Sequence, residues 1–355
     1  MALLGFKKRF GLDISDASIE ALEFEKVFGK IKIKSYGRVE IEPKKIVEDG
    51  LIKEKNLLIE AIKKVLEKSK PEKIRAKEVL ISLPESRVFI HIFELPSHLK
   101  EKEIEEVISY EIESIFPYPS RELFLDFKII NKTDKSQEIF LAASLKRVIN
   151  DFKEVLEGAG LIPVVFDMES KSLGRALIDK FEKNKGIIIL DIGARTSIIS
   201  VFDKASLRFT TNLKIAGNLF SQKISEGLNL SFSEAEKIKI KKGFLSERFG
   251  EILKKESESV CQELKRVIKY IERKYALPIE KIILAGGSSL LPGLREYFQE
   301  KIGLRVEIGD PLTKIGKNTI LHKKEKRILF ANVIGLGLRA LEKNPLKSDI
   351  NLLKS

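Results

Sequence analysis

The sequence predicts a two-lobed α/β protein with a smaller subdomain inserted into the first lobe. Three observations lead there. The chain has 355 residues, more than one average domain, and 43% of them are hydrophobic, enough for sizeable cores. Strand-like and helix-like runs take turns along it. Two hairpins of one design, around Asp13 and around Asp191, each open an α/β stretch.

The elements follow in order. Phe10–Ile14 and Ile19–Phe24 are apolar runs flanking a Ser-Asp-Ala-Ser turn, and Ile31–Ile41 alternates as a third strand. Leu58, Ile59, Ile62, Val65 and Leu66 give 56–68 the spacing of a helix with one buried face. Glu78–Leu83 is a buried strand closed by Pro84. The insert comes next. It has strand Arg87–Leu95, a Glu-rich helix Lys100–Ile115 stopped at Pro117, strands Leu123–Ile130 and Glu138–Leu145, and helix Asn150–Ala159 closed by Gly160. The second lobe opens with β-branched runs Gly186–Ile192 and Thr196–Phe202 and a strand Leu207–Asn212. Helices Phe220–Leu228, Phe232–Lys239 and Ile252–Tyr275 follow. Strand Lys281–Ala285 enters Gly-Gly-Ser-Ser, then helix Gly293–Ile302. Ile328–Leu341 is a helix whose Gly335 and Gly337 predict close packing against another backbone.

Composition removes several classes. Lys and Arg number 65 against 52 Asp and Glu, a net charge of +13. The excess is dispersed and lacks an aromatic-lined stripe, so nucleic acid is not expected as a partner. The single Cys261 forms no internal disulfide, and His91, His98 and His322 have no metal-ligand spacing. No apolar run approaches the ~18–20 residues of a spanning helix, and a cytoplasmic location follows by default. The opening stretch, with Leu3, Leu4, Phe6 and Phe10 among Lys7, Lys8 and Arg9, reads as a lead-in that packs or frays, or as a weak membrane contact.

Three segments carry the chemistry. They are Gly11-Leu-Asp-Ile-Ser-Asp-Ala-Ser18, Leu190-Asp-Ile-Gly-Ala-Arg-Thr-Ser197 and Ile283-Leu-Ala-Gly-Gly-Ser-Ser-Leu-Leu-Pro-Gly293. A strand ending in Asp before a tight turn of small residues aims backbone N–H groups inward. Such a nest takes phosphate oxygens, while the Asp holds magnesium through water. A Gly-Gly pair after a buried strand lets the chain pass close to a flat ring.

In this order the segments resemble the actin-like ATPase superfamily, which also holds sugar kinases, the heat-shock seventies and FtsA, over nearly the whole chain. The resemblance implies a two-lobed actin-like (ribonuclease H-like) fold with an FtsA/PilM-type inserted subdomain and ATP as cofactor. It assigns Asp13, Ser15, Asp16 and Ser18 to the first phosphate hairpin and Asp191, Gly193 and Thr196 to the second. Gly286, Gly287 and Ser288 form the adenosine turn, and Glu236 and Lys239, three apart on one helix face, lie against the ribose. Asp13 and Asp191 would hold Mg through water. Glu169, heading a helix Lys171–Phe181, falls where relatives position the attacking water. The implied division is 1–86, completed by 163–184 and about 328–345, as the first-lobe core; 87–162 as an inserted interaction subdomain; 185–217 with 280–327 as the second-lobe core; 218–279 as a helical subdomain; and 346–355 as a tail.

The insert decides the branch. Ser114-Ile-Phe-Pro-Tyr-Pro119 and the opening Phe10-Gly-Leu-Asp-Ile are similar to the PilM family, the cytoplasmic component of type IV pilus machines. The tail is too short and too polar for the amphipathic membrane helix expected of FtsA. This implies a scaffold peripheral to the inner face of the cytoplasmic membrane. Its implied partners are the N-terminal peptide of a PilN-like inner-membrane protein, other platform components and a second copy of itself. An FtsA-like polymerising division protein is the first alternative, and a small-molecule kinase using Asp167 is the second. The PilN motif reads Ile-Asn-Leu-Leu-Pro, and this chain itself carries Ile350, Asn351, Leu352 and Leu353. Chance and mimicry are both open; a mimic would enter the same groove in its own copy or a neighbour. The first hairpin departs from the family, with Ser15 for Gly, Asp16 for Ser and Glu20 for Lys. Two carboxylates there repel a triphosphate, so the expectation is ATP binding with hydrolysis slow or absent.

Overall fold

The computed structural model describes residues 8–42, 44–181, 184–204, 206–315, 321 and 327–353. Leu3, Leu4, Phe6, Lys7 and His322 lie outside the described residues. The chain divides into two compact units, Met1–Ser172 with Asn332–Ser355, and Leu173–Ala331.

In the first unit, β1 (Arg9–Ile14) and β2 (Ser18–Val27) form the expected hairpin, and β3 (Lys30–Glu40) extends it. The register sets Asp13 opposite Glu20. A small hairpin, β4 (Val47–Glu48) and β5 (Leu51–Ile52), leads to α1 (Lys55–Glu67), which buries Leu58, Ile62 and Val65 as its periodicity requires. Then β6 (Glu78–Leu83) joins β1 in parallel. The insert supplies β7 (Phe89–Pro96), α2 (Glu101–Ile115), β8 (Leu123–Lys132) and β9 (Ser136–Leu145), with strand order β7-β9-β8. Phe89 packs its ring against Phe116 and Tyr118 at 5.8 and 5.4 Å, which anchors the Phe-Pro-Tyr-Pro passage.

Two elements differ from expectation. α3 (Lys146–Gly158) begins four residues before Asn150, because buried Val148 and Ile149 extend its apolar face. Lys55 ties it to α1 through Asp151 and Glu154, both at 2.7 Å. β10 (Ile162–Met168) was not expected as a strand, since Pro163 argues against one. It pairs with β6 in the order β10-β6-β1-β2-β3, at the edge of the sheet among the described residues, where a missing N–H is tolerated.

From β10 the chain passes straight into α4 (Glu169–Leu177), which starts and stops earlier than the expected Lys171–Phe181. The second unit pairs β11 (Gly186–Ile192), β12 (Ser197–Phe202) and β13 (Leu207–Leu213) antiparallel. Helices α5 (Gly217–Leu228), α6 (Phe232–Lys242) and α7 (Gly250–Tyr275) come next. Then β14 (Ile279–Ala285) lies parallel to β11, followed by α8 (Leu294–Ile302) and a short β15 (Arg305–Ile308) not anticipated from its four residues. The α7 stripe Leu253, Val260, Leu264, Val267 and Ile271 is buried at helical spacing. Cys261 sits in that stripe, its thiol pushed up to about 11 by burial, an inert core residue as expected.

The last helix, α9 (Ala331–Ala340), brings Gly335 so close to the Ser172 backbone that a Cβ there would overlap its carbonyl. This is the backbone approach that the glycine predicted. Among the described residues, no helix is long and apolar enough to cross a membrane.

Candidate functional site

The second unit gathers most of the predicted site around one turn. β11 ends at Asp191, and the Gly193 N–H donates to the Thr196 carbonyl at 3.0 Å. The start of α5 closes on this turn, with Gly217 N–H donating to the Gly193 carbonyl (3.1 Å) and Asn218 N–H to that of Ala194 (2.7 Å). From the other side, the Ser288 hydroxyl donates to the Gly193 carbonyl at 3.3 Å. Gly286 has φ +76°, and a Cβ there would collide with the Asp191 carboxylate and the Ile192 carbonyl, so glycine is required. At Gly287 an added Cβ would meet only Leu329, at 3.5 Å, among the described residues. Among the described residues, packing does not demand that glycine.

Glu236 and Lys239 join the same cluster. The Lys239 ammonium donates to the Gly217 carbonyl and to Glu236, both at 2.7 Å, and the Ser221 hydroxyl also reaches Glu236. Burial pulls the Lys239 pKa below the ordinary lysine value. Gly217, Asn218 and Ser221 were missed by sequence reasoning. Their signal was local: Ala-Gly-Asn ahead of an apolar helical run marks a helix start packed against something.

The first hairpin is arranged differently. The Ser15 hydroxyl accepts from Ser18 N–H at 3.0 Å and Ala17 N–H at 3.3 Å, so the turn's inward donors are taken by the turn's own side chain. Asp16 accepts from Asp49 and Gly50 N–H groups at 2.9 and 3.1 Å, which pins the β4–β5 turn. Asp13 accepts from the Asn332 amide (2.9 Å), which also donates to Ser82 (2.8 Å). Glu20 is buried with Arg38 Nε at 2.6 Å. Burial pushes Asp13 up to about 6. Burial, then the charge of Asp13, pushes Glu20 up to about 8 against the pull of Arg38. The second unit's cluster fits a nucleotide; the first hairpin, its donors occupied and two carboxylates face to face, does not fit phosphate. Among the described residues, no group of three or more His, Cys, Asp or Glu is placed to hold a metal ion.

Glu169 accepts from Glu85 N–H at 2.8 Å, and Glu85 in return accepts from Ser170 N–H at 3.1 Å. This reciprocal tie fixes the turn after β6 to the head of α4. Asp167 overturns the kinase alternative. It is 0% exposed and ion-paired with Arg339, also 0% exposed, at 2.8 Å, so it cannot reach a substrate hydroxyl. Arg339 had a readable signal, a single cation in the apolar run Ala331–Ala340.

The Ile350–Leu353 segment lies in its own first unit. Ile350 and Leu352 are 0% exposed and Asn351 3%. Asn351 N–H donates to Asp126 of β8 (2.8 Å), and its side-chain carbonyl accepts from Phe166 N–H of β10 (3.0 Å). Its amide donates to Val164 (3.2 Å), and Leu352 N–H donates to the Phe166 carbonyl (2.9 Å). Arg339 holds the Ile350 and Asp349 carbonyls at 2.7 and 3.0 Å, and Lys171 holds the Asp349 carboxylate at 2.8 Å. Lys354, after the motif, is outside the described residues.

Comparison with known proteins follows the same lines. A solved chain described as the PilM-PilN type IV pilus biogenesis complex superposes with a TM-score of 0.82 at 23% identity, over 95% of this chain and 100% of that one. MreB 5 of Spiroplasma citri bound to AMPPNP gives 0.54 at 15% identity, over 94% and 96%. The cell division protein FtsA of Streptococcus pneumoniae serotype 2 is 24% identical over 348 residues, 85% of this chain and 75% of its own length. The fold is therefore the actin-like one that the hairpins predicted. The family model for the type IV pilus assembly protein PilM matches residues 11–341; with nearly the whole chain inside that match, this chain belongs to the PilM family of type IV pilus assembly proteins.

Proposed function

We propose that the chain is a cytoplasmic scaffold of the pilus inner-membrane assembly platform, one that binds ATP without efficient turnover and docks the N-terminal peptide of a PilN-like membrane protein. The observation that carries this reading is the contrast between its two hairpins. In the second unit, Gly193, Ser288, Lys239 and the Gly286-Gly287 turn converge, and among the described residues only Leu329 approaches Gly287. At the first hairpin, Ser15 closes the nest on itself. The second unit keeps a turn that can take a nucleotide while the first unit's hairpin is closed on itself, which suits a bound ligand better than a fuel. ATP would supply negative charge and a flat ring to the second unit's turn. Asp191 would hold its magnesium through water, and Glu236 and Lys239 would line the sugar side. Peptide docking is supported by a first-unit groove built around the Ile-Asn-Leu-Leu segment and by the similar solved structure, a complex of PilM with PilN. Such a peptide would hold the chain at the inner face of the membrane.

Calorimetric titration of the full chain with Mg·ATP, beside Asp191→Ala, tests the nucleotide half. Micromolar binding lost in the variant, with phosphate release no faster than the variant's, is expected. No heat and no thermal shift at millimolar ATP would overturn it.

A further inference from the structure

Residues 349–353 form no helix or strand, yet Ile350, Asn351 and Leu352 are as buried as the core, with Asp349 and Leu353 half-buried at either end, and polar contacts specify what they are. The groove that holds them has three walls: Asp126 on β8, the edge of β10 at Val164–Phe166, and Arg339 on α9, itself fixed by Asp167. The walls meet the segment's backbone in turn: Arg339 takes two carbonyls, Asp126 one N–H, Phe166 the next. Asn351 does more. Its carbonyl oxygen accepts from Phe166 N–H while its amide donates to Val164, so one side chain supplies the donor and acceptor of a missing neighbouring strand. Asp lacks the donor, Leu lacks both, and Gln places them one carbon further out. Ile350 and Leu352, on either side, fill apolar space. Alternating apolar anchors and an edge strand that supplies hydrogen bonds are the marks of a peptide-recognition groove.

We infer that residues 349–353 are an internal ligand that gates this groove: a partner peptide with an Ile-Asn-Leu core enters only when the chain's own segment leaves. The inference rests on the peptide-docking reading above and adds its regulation. A tethered segment competes at an effective concentration of ~mM, so a free peptide of micromolar affinity is held off while the segment is seated. Lys171 and Asp349 form the outer latch, and Arg339 the inner one.

The test is fluorescence polarisation with a labelled synthetic peptide of residues 347–355, titrated with the full chain, with a chain stopped at Asn344, and with full-length Asn351→Asp. An unlabelled peptide carrying Ala for Asn is the control competitor. The stopped chain and Asn351→Asp should both bind the labelled peptide about tenfold or more tightly than the full chain, and the Ala peptide should fail to compete. If the stopped chain does not fold, by far-ultraviolet dichroism, Asn351→Asp decides on the same criterion. Equal, tight binding by all three overturns the gate and leaves peptide docking standing. Absence of binding by folded stopped chain and Asn351→Asp overturns peptide docking itself. A full-length dimer by light scattering that becomes monomer in the stopped chain assigns the segment to a second copy and overturns gating within one chain.

Discussion

The two hairpins are built alike and finished differently. Asp13 and Asp191 hold equivalent places at the ends of β1 and β11, but Asp13 faces Glu20 across the ladder and Asp191 faces Ile198. In the first, Ser15 folds its hydroxyl over the turn's N–H groups, and two carboxylates, buried Glu20 and half-buried Asp13, sit together. In the second, neighbours hold the turn from outside: α5, the Ser288 hydroxyl, and Gly286 beneath Asp191. A turn satisfied by its own side chain needs no ligand. One braced by other elements keeps its shape while a ligand comes and goes. Under the proposed reading, the comparison teaches that a phosphate hairpin can be retired by changing its residues, with its strand pairing left intact.

The largest effect is expected at the brace of the second hairpin. Gly286→Ala forces a Cβ onto Asp191 and Ile192 at positive φ. It should cost about 3 kcal/mol of stability and abolish the Mg·ATP thermal shift; unfolding within error of the parent would refute the brace.

The next effect is a pH dependence confined to the first hairpin. Glu20 has an ordinary value of 4.5 and is pushed to about 8 in the fold. The folded chain thus holds this proton more tightly than the unfolded chain. Its contribution is full below pH 4.5 and is lost as pH rises towards 8. Glu20→Gln does not ionise, so its urea midpoint should fall less between pH 5 and 8, a relative gain on the order of 1–2 kcal/mol. Parallel slopes for parent and variant would show that Arg38 already neutralises Glu20.

The smallest effect comes from reopening the first turn. Ser15→Gly frees the Ala17 and Ser18 N–H groups at a cost of about 1 kcal/mol, with Mg·ATP affinity rising a few-fold in calorimetry. Unchanged affinity would mean that the Asp13–Glu20 pair alone bars phosphate.

Much of this was legible in the sequence because it is local. Strand, turn and strand around Asp191, the Gly-Gly after β14, and Glu236 and Lys239 on one helical face are short-range patterns, and the fold brings them together. What was not legible depends on partners far along the chain. Asp16 reads as a phosphate-side carboxylate until β4 and β5 present two N–H groups to it. Asp167 reads as a catalytic acid until Arg339 arrives. β10 was hidden by Pro163, which propensity penalises and an edge position forgives. The Ile350–Leu353 segment was conspicuous as a motif, but Asp126 and the β10 edge gave no sign of being its seat.

Pro163 has a further consequence for how the protein behaves in a crowd. A bare sheet edge is a template on which other chains stack. At β10 the proline offers no N–H and the register shifts beside it, so an arriving strand finds little beyond Val164–Phe166 to pair with. On the proposed gate, unseating the segment would expose only a short, selective strip. With that gating, the opened chain would remain dispersed even at high local concentration.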